Sequence, residues 1–205
     1  MSLFGKLIHL HSDEIRKLED FHTEIVAGLL ANNYELTLRW FRELRVSELG
    51  EAEKVTVTTQ EKLERIEGLH DDGSRPDMVV RITKGERREV VFIESKVGSS
   101  EGDGQLSKYM DHLHAMQGVD RKSLVFITRD YEPKDDLSDE KVTFRQARWA
   151  EFYRFLSGDK SQSEMIRELL LFMKENNMSQ DNRFTALDLL ALTNWHAPQK
   201  LIQAL

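Results

Sequence analysis

The 205-residue sequence contains no cysteine, which excludes disulfide bonds, thiolate zinc sites and cysteine nucleophiles. Any bound metal would therefore need oxygen or imidazole ligands. With three prolines and 11 glycines, the composition also argues against collagen-like repeats and Pro-rich disorder. No hydrophobic run is long enough to span a membrane, and Lys6 and His9 make the N-terminus too polar for a secretion signal. We therefore expect a cytoplasmic protein with no membrane partner.

Positive charge is scarce as well. The sequence has 29 Lys and Arg against 36 Asp and Glu, which gives a formal net charge of -7. Proteins that bind nucleic acid are usually basic, because phosphate contacts need Lys and Arg. The acidic balance argues against such a partner without excluding it, since a bound cation can make one cleft locally positive. The 40% hydrophobic content is enough for one buried core, so we expect a single compact domain.

The spacing of apolar residues predicts helices at both ends of the chain and strands between them. From Ser12, apolar residues three or four apart predict a first helix, and a second follows Asn32 and Asn33. Strands are predicted over residues 55–60 with an extension to 66, and over 77–83, 88–96, 124–128 and 142–146, with a helix over 105–117. Helical patterns return over residues 152–156, 165–173 and 186–192, and the pattern at 201–205 leaves open whether the chain is a fragment.

This order of elements predicts an α/β fold with a mixed central sheet flanked by helices. We expect residues 1–157 to form the α/β domain. We expect residues 158–205 to form a helical C-terminal extension packed on the same domain.

Two of the predicted strands bring a pair of carboxylates together. If the connecting turn centres on Gly85 and the residue after it, Thr83 pairs with Arg88, and equal steps outward place Asp77 opposite Glu94. Directly opposed residues have Cβ atoms about 5 Å apart. Two buried carboxylates at that separation repel each other, so the fold needs a compensating cation.

A divalent metal ion would meet this need. Mg²⁺ prefers a few carboxylates together with water and phosphate oxygens, which Asp77 and Glu94 could provide. Lys96 lies two residues beyond Glu94 and therefore on the same face of the strand. It is placed to orient or deprotonate an attacking water while the metal neutralises charge on a phosphate. A structural cluster of ion pairs is the alternative interpretation.

These residues resemble a known motif. The tripeptide RPD at 75–77, followed after a hairpin by ESK at 94–96, is similar to the signature of the PD-(D/E)xK nuclease superfamily. The segment FHTE at 21–24 resembles the acidic residue that this family carries on its first helix. Gln105 and Tyr109 resemble its Q-x-x-x-Y extension. The resemblance covers about residues 12 to 130.

The resemblance implies a restriction-endonuclease-like fold and phosphodiester hydrolysis that depends on Mg²⁺, with Mn²⁺ as a substitute. It implies that Asp77 and Glu94 bind the metal, that Glu24 supports the metal or its water, and that Lys96 acts at the water. Gln105 would border the site, and Tyr109 fits a core position better than a catalytic one. The implied substrate is nucleic acid, with DNA favoured over RNA, and double-strand cleavage would suit a homodimer.

Two other interpretations stay open. One is a noncatalytic nucleic-acid-binding or assembly module of the same fold, and the other is an acidic protein-interaction domain. Candidate substrate contacts are Arg75, Arg81, Lys84, Arg87, Arg88 and Lys108, although charge at a hairpin tip is more often simply solvated. Because they lack a zinc-binding motif, five histidines are interpreted as surface or helix-face residues: His9, His11, His22, His112 and His114.

Overall fold

The computed structural model describes residues 2–8, 16–102, 104–159 and 163–180. The helices are α1 (Leu3–Ile8), α2 (Arg16–Asn32), α3 (Tyr34–Glu43), α4 (Gln105–Ala115), α5 (Trp149–Ser157) and α6 (Glu164–Glu175). The strands are β1 (Lys54–Thr59), β2 (Met78–Lys84), β3 (Arg87–Lys96), β4 (Arg121–Thr128) and β5 (Val142–Arg148). The predicted start of the first helix at Ser12 and the helical patterns after residue 180 lie outside the described residues.

The five strands form one mixed sheet in chain order, β1-β2-β3-β4-β5. The first three are antiparallel to one another, whereas β3, β4 and β5 run parallel. A parallel pair needs a crossover connection, and α4 supplies the one between β3 and β4. The structure thus confirms the predicted α/β class, and no described helix is both long and apolar enough to cross a membrane.

The β2–β3 hairpin has the predicted register. Thr83 pairs with Arg88 and Met78 pairs with Ile93, so one further step outward sets Asp77 against Glu94. The turn is possible because Gly85 adopts a left-handed backbone with φ of 58°. A short local turn and the alternation of side chains are therefore enough to bring the two acidic residues to the same end of the sheet.

Side-chain alternation along these strands creates two cores. On one face, residues such as Met78 and Val91 pack with the apolar sides of α2, α3, α5 and α6. On the other, Val79 and Phe92 pack with α4. Glu94 and Lys96 follow Phe92 at steps of two, which directs them toward the α4 side. The sheet is thus covered by helices on both faces, and the two polar residues lie at its carboxyl end.

The structure differs from the sequence-based prediction near β1. This strand ends at Thr59 instead of continuing to residue 66, because Gln60 adopts a left-handed backbone with φ of 51°. Beyond it, Leu63 and Ser74 form an isolated antiparallel bridge. Gly73 is required for this bridge, since a Cβ there would lie 2.4 Å from the Leu63 carbonyl oxygen. The segment after β1 is therefore a closed loop that returns to the start of β2.

Two further features concern the helices. The described part of the C-terminal extension, α6, buries Ile166 and Phe172 in the same core as α2 and α5. The domain division at residue 157 stays a prediction.

On α2, His22 is fully buried, and its ring lies 4.3 Å from that of Trp149. Burial lowers the pKa of His22 to about 3, so it is a neutral core residue on its helix face and not a surface one.

Candidate active site

Asp77 lies just before β2 and is held by two hydrogen bonds. Its Oδ2 accepts from the backbone N–H of Ser95 at 2.8 Å, and its Oδ1 accepts from Nε2 of Gln60 at 3.0 Å. The residue is 8% exposed. Gln60 follows the last residue of β1 and has a left-handed backbone. This backbone turns the Gln60 side chain away from the strand. Gln60 was not among the residues singled out in the sequence.

Glu94 is the most buried member of the site, with 0% exposure. Its Oε1 accepts from Nε2 of Gln105 at 2.8 Å, and its Oε2 lies 3.0 Å from the Tyr109 hydroxyl. That hydroxyl also accepts from Gln105 at 2.8 Å and lies 3.0 Å from the carbonyl oxygen of Arg75. Both residues of α4 therefore fix the Glu94 carboxylate, and Tyr109 is a core residue that also contacts the site.

Lys96 connects two carboxylates. Its Nζ lies 2.5 Å from Glu94 Oε1 and 3.5 Å from Glu19 Oε1. The second oxygen of Glu19 accepts from the Val97 backbone N–H at 2.8 Å and from Ser99 Oγ at 2.6 Å. Glu19 thus joins α2 to the end of β3.

Glu19 and Glu24 of α2 differ in their position relative to the cavity. Glu24 is exposed and does not line the cavity, whereas Glu19 is buried and does. The two residues are five positions apart on α2, which rotates their side chains about 140° from each other around the helix axis. His22 and Thr23, three and four residues after Glu19, are buried, so Glu19 lies on the inward side of α2, and a role for Glu24 at the site stays a prediction.

Four of the five predicted catalytic residues line one cavity of about 420 Å³: Asp77, Glu94, Lys96 and Gln105. Glu19 lines it too, and so do three residues that the sequence analysis did not place there: Asp20, Gln60 and Arg75. The cavity is therefore polar, acidic and built from segments that are far apart in the sequence.

The charges in this cavity are poorly balanced. Burial, together with the nearby Asp77 carboxylate, raises the pKa of Glu94 to about 8. Burial also raises the pKa of Asp77. Burial alone would lower the pKa of Lys96, but the carboxylates of Glu94, Glu19 and Asp77 together raise it. The Lys96 ammonium lies among the carboxylates of Glu19, Asp77 and Glu94. Because it can balance only one of them, the site attracts additional positive charge.

Comparison with known protein families places the chain in a superfamily. A family model described as the PD-(D/E)XK nuclease superfamily matches residues 14–198. The chain belongs to the PD-(D/E)XK nuclease superfamily. None of the curated proteins matches the chain significantly. The correspondence of Asp77, Glu94 and Lys96 to the letters of the superfamily motif stays a prediction from the sequence.

The residues of this superfamily member fit a divalent cation. Within the described ranges, no three Asp, Glu or His side chains already enclose an ion position. Asp77 and Glu94 nevertheless open onto one cavity, and Mg²⁺ binds to one or two carboxylates with water completing its coordination. Burial is the main cause of the raised pKa of both groups, so a bound cation would favour their ionised forms. The donor set is the hard oxygen type that Mg²⁺ and Mn²⁺ prefer.

Proposed function

We propose that this chain is a divalent-metal-dependent nuclease that hydrolyses phosphodiester bonds in nucleic acid, with DNA as its substrate. The observation that carries the proposal is the burial of Asp77 and Glu94 beside Lys96 in one open cavity. Burying two carboxylates together is costly, and a fold retains such a pair where a cation and an anionic substrate will use it. A cytoplasmic location and a homodimer stay predictions.

In this proposal the side chains have separate roles. Asp77 and Glu94 would bind Mg²⁺ or Mn²⁺, with Glu19 supporting them through Lys96. When bound, such an ion supplies positive charge that stabilises a phosphoryl transition state and lowers the pKa of water. Lys96 keeps its proton because its pKa is raised, so it orients the attacking water or a phosphate oxygen by donating a hydrogen bond.

The groups around the carboxylates act as positioning residues. Gln105 donates to Glu94, and Gln60 donates to Asp77, so each carboxylate has one oxygen fixed by an amide. Such partners of metal ligands orient them, and removing one typically costs 10–100-fold in activity or metal affinity, an order-of-magnitude range. Hydrolysis itself joins the water oxygen to phosphorus and releases one ester oxygen as a hydroxyl.

The proposal is tested by incubating the protein with single- and double-stranded DNA and RNA in Mg²⁺, Mn²⁺ or EDTA. We expect cleavage only with metal, and a loss of roughly 10²-fold or more in Asp77→Asn. Asp71→Asn is the matched control, because Asp71 is exposed and does not line the cavity. Cleavage that survives EDTA or the Asp77 substitution would refute the site. Binding without cleavage would favour the noncatalytic module. The absence of both binding and cleavage would favour the protein-interaction domain.

A pair of substitutions on α2 tests which acidic residue belongs to the site. We expect Glu19→Gln to lower the cleavage rate roughly 10–100-fold, because it weakens the contacts to Lys96 and the Val97 N–H. Glu24→Gln should leave the rate close to that of the wild type, since Glu24 is exposed. Initial rates on one DNA substrate measure both. A larger loss of cleavage rate in Glu24→Gln than in Glu19→Gln would favour the prediction from the sequence, which assigns Glu24 to the site.

A further inference from the structure

Ion pairs divide the candidate substrate contacts into basic side chains that are paired with a carboxylate and basic side chains that are not. Of the six basic side chains singled out in the sequence, four are paired with carboxylates: Arg81 with Glu61, Lys84 with Glu51, Arg87 with Glu48 and Lys108 with Asp72. The other two, Arg75 and Arg88, are exposed and form no ion pair with any described residue. Only Arg75 of these two lines the catalytic cavity. Among these six side chains, Arg75 is therefore the one that lines this cavity without an ion pair to a described residue.

Arg75 also lines a second cavity. This space, of about 370 Å³, lies between residues 72–75 and the start of α4. Arg75 and Gln105 line both cavities, so the second adjoins the first. The second cavity is also lined by Lys108 of α4, so a second basic side chain faces it.

The backbone of Arg75 is fixed to the catalytic carboxylate. Its carbonyl oxygen lies 3.0 Å from the Tyr109 hydroxyl, which lies 3.0 Å from Glu94. On the other side, the bridge between Leu63 and Ser74 holds the residue that precedes Arg75. The backbone of Arg75 is thus held beside the site while its side chain stays exposed.

We infer that the second cavity binds the phosphate next to the one being cleaved, and that Arg75 contacts the nucleic-acid strand where it passes between the two cavities. This inference rests on the proposed function. A guanidinium carries five donors in a fork that matches phosphate oxygens, which suits a residue that borders two phosphates. Lys108 faces the same cavity, and an entering phosphate would compete with exposed Asp72 for its ammonium. Arg75 is thus a substrate-binding residue distinct from the metal ligands.

The test compares Arg75→Gln with Arg88→Gln, two substitutions that remove the same charge from an exposed, unpaired arginine. Both are made in an Asp77→Asn background, and binding of a fluorescent oligonucleotide is titrated at several salt concentrations. We expect Arg75→Gln to weaken binding about 5–10-fold and to reduce the salt slope by about 0.7 to 0.9, which corresponds to one lost phosphate contact. Arg88→Gln should change neither quantity.

A smaller ligand isolates the second phosphate. With Arg75 intact, thymidine 3′,5′-bisphosphate should displace the oligonucleotide better than thymidine 5′-monophosphate, and Arg75→Gln should remove most of that difference. Equal competition by the two nucleotides, or equal effects of the two arginine substitutions, would overturn this inference while the nuclease proposal stands. A wild-type protein that neither binds nor cleaves nucleic acid would overturn both.

Discussion

Glu94→Gln is expected to reduce metal-dependent hydrolysis by about 10³-fold, because the amide keeps the shape of the side chain but cannot provide a charged ligand. The same substitution should make the metal-free protein more stable at pH 8. Both effects have one origin, since the buried charge that would bind the metal destabilises the fold without it. A loss of activity accompanied by a gain in stability separates a functional carboxylate from a structural one.

The pH dependence fixes the sign of this stability effect. The pKa of Glu94 is raised from 4.5 to about 8 in the folded chain, so the folded state binds this proton more tightly than the unfolded state. The resulting stabilisation is complete below pH 4.5 and is lost as the pH rises toward 8. Melting of the wild type in EDTA should therefore fall in temperature across that window by several degrees, and Glu94→Gln should flatten the curve.

A matched control exists on the same strand. Glu89 is also a buried glutamate of β3, at 1% exposure, but it does not line the catalytic cavity. Glu89→Gln should keep the hydrolytic rate. Mg²⁺ or Mn²⁺ should raise the melting temperature of the wild type and of this control, since a ligand bound only to the folded state stabilises it. An identical rise in Glu94→Gln would show that Glu94 does not bind the metal.

Lys96→Met should have the opposite effect on stability and a similar effect on activity. Hydrolysis is expected to fall by about 10²-fold, because the donor that orients water or phosphate is lost. The metal-free protein should become less stable, since Glu94 and Glu19 lose the ammonium at 2.5 and 3.5 Å. Affinity for Mn²⁺ should be kept or increased, because removing a positive charge favours a cation.

Titration calorimetry with Mn²⁺ separates the two classes of residue. Weaker binding in Lys96→Met than in the wild type would contradict the division between ligands and the water-orienting group. Lys62→Met serves as the control, since Lys62 is exposed on the loop after β1 and does not line the cavity. It should change neither hydrolysis nor Mn²⁺ affinity.

The part of the site that could be predicted from the sequence is the part set by local geometry. A short hairpin has few possible registers, and strand alternation then determines which residues face each other. Counting outward from Thr83 and Arg88 was therefore enough to set Asp77 against Glu94. The same counting assigned Lys96 to the face of Glu94.

The rest depends on contacts that the sequence does not show directly. Glu19 and Glu24 both lie on α2, and only its packing on the sheet decides which of them reaches β3. Gln60 enters the site through a left-handed backbone, which is uncommon for a residue other than glycine. The sequence also does not show that Arg75 lacks an ion pair with a described residue. The ion pairs of the other basic side chains depend on the fold, so the comparison among them needs the structure.

The hydrogen bond from the Val97 N–H to Glu19 joins residues that are 78 positions apart in the chain. Glu94, three residues earlier, depends in turn on Gln105 at the start of α4. No single hairpin or helix pair of this chain therefore contains the site. A chain still being synthesised would have no complete cavity until α4 had been made and had folded onto the sheet, so any hydrolytic activity would appear only with the assembled domain.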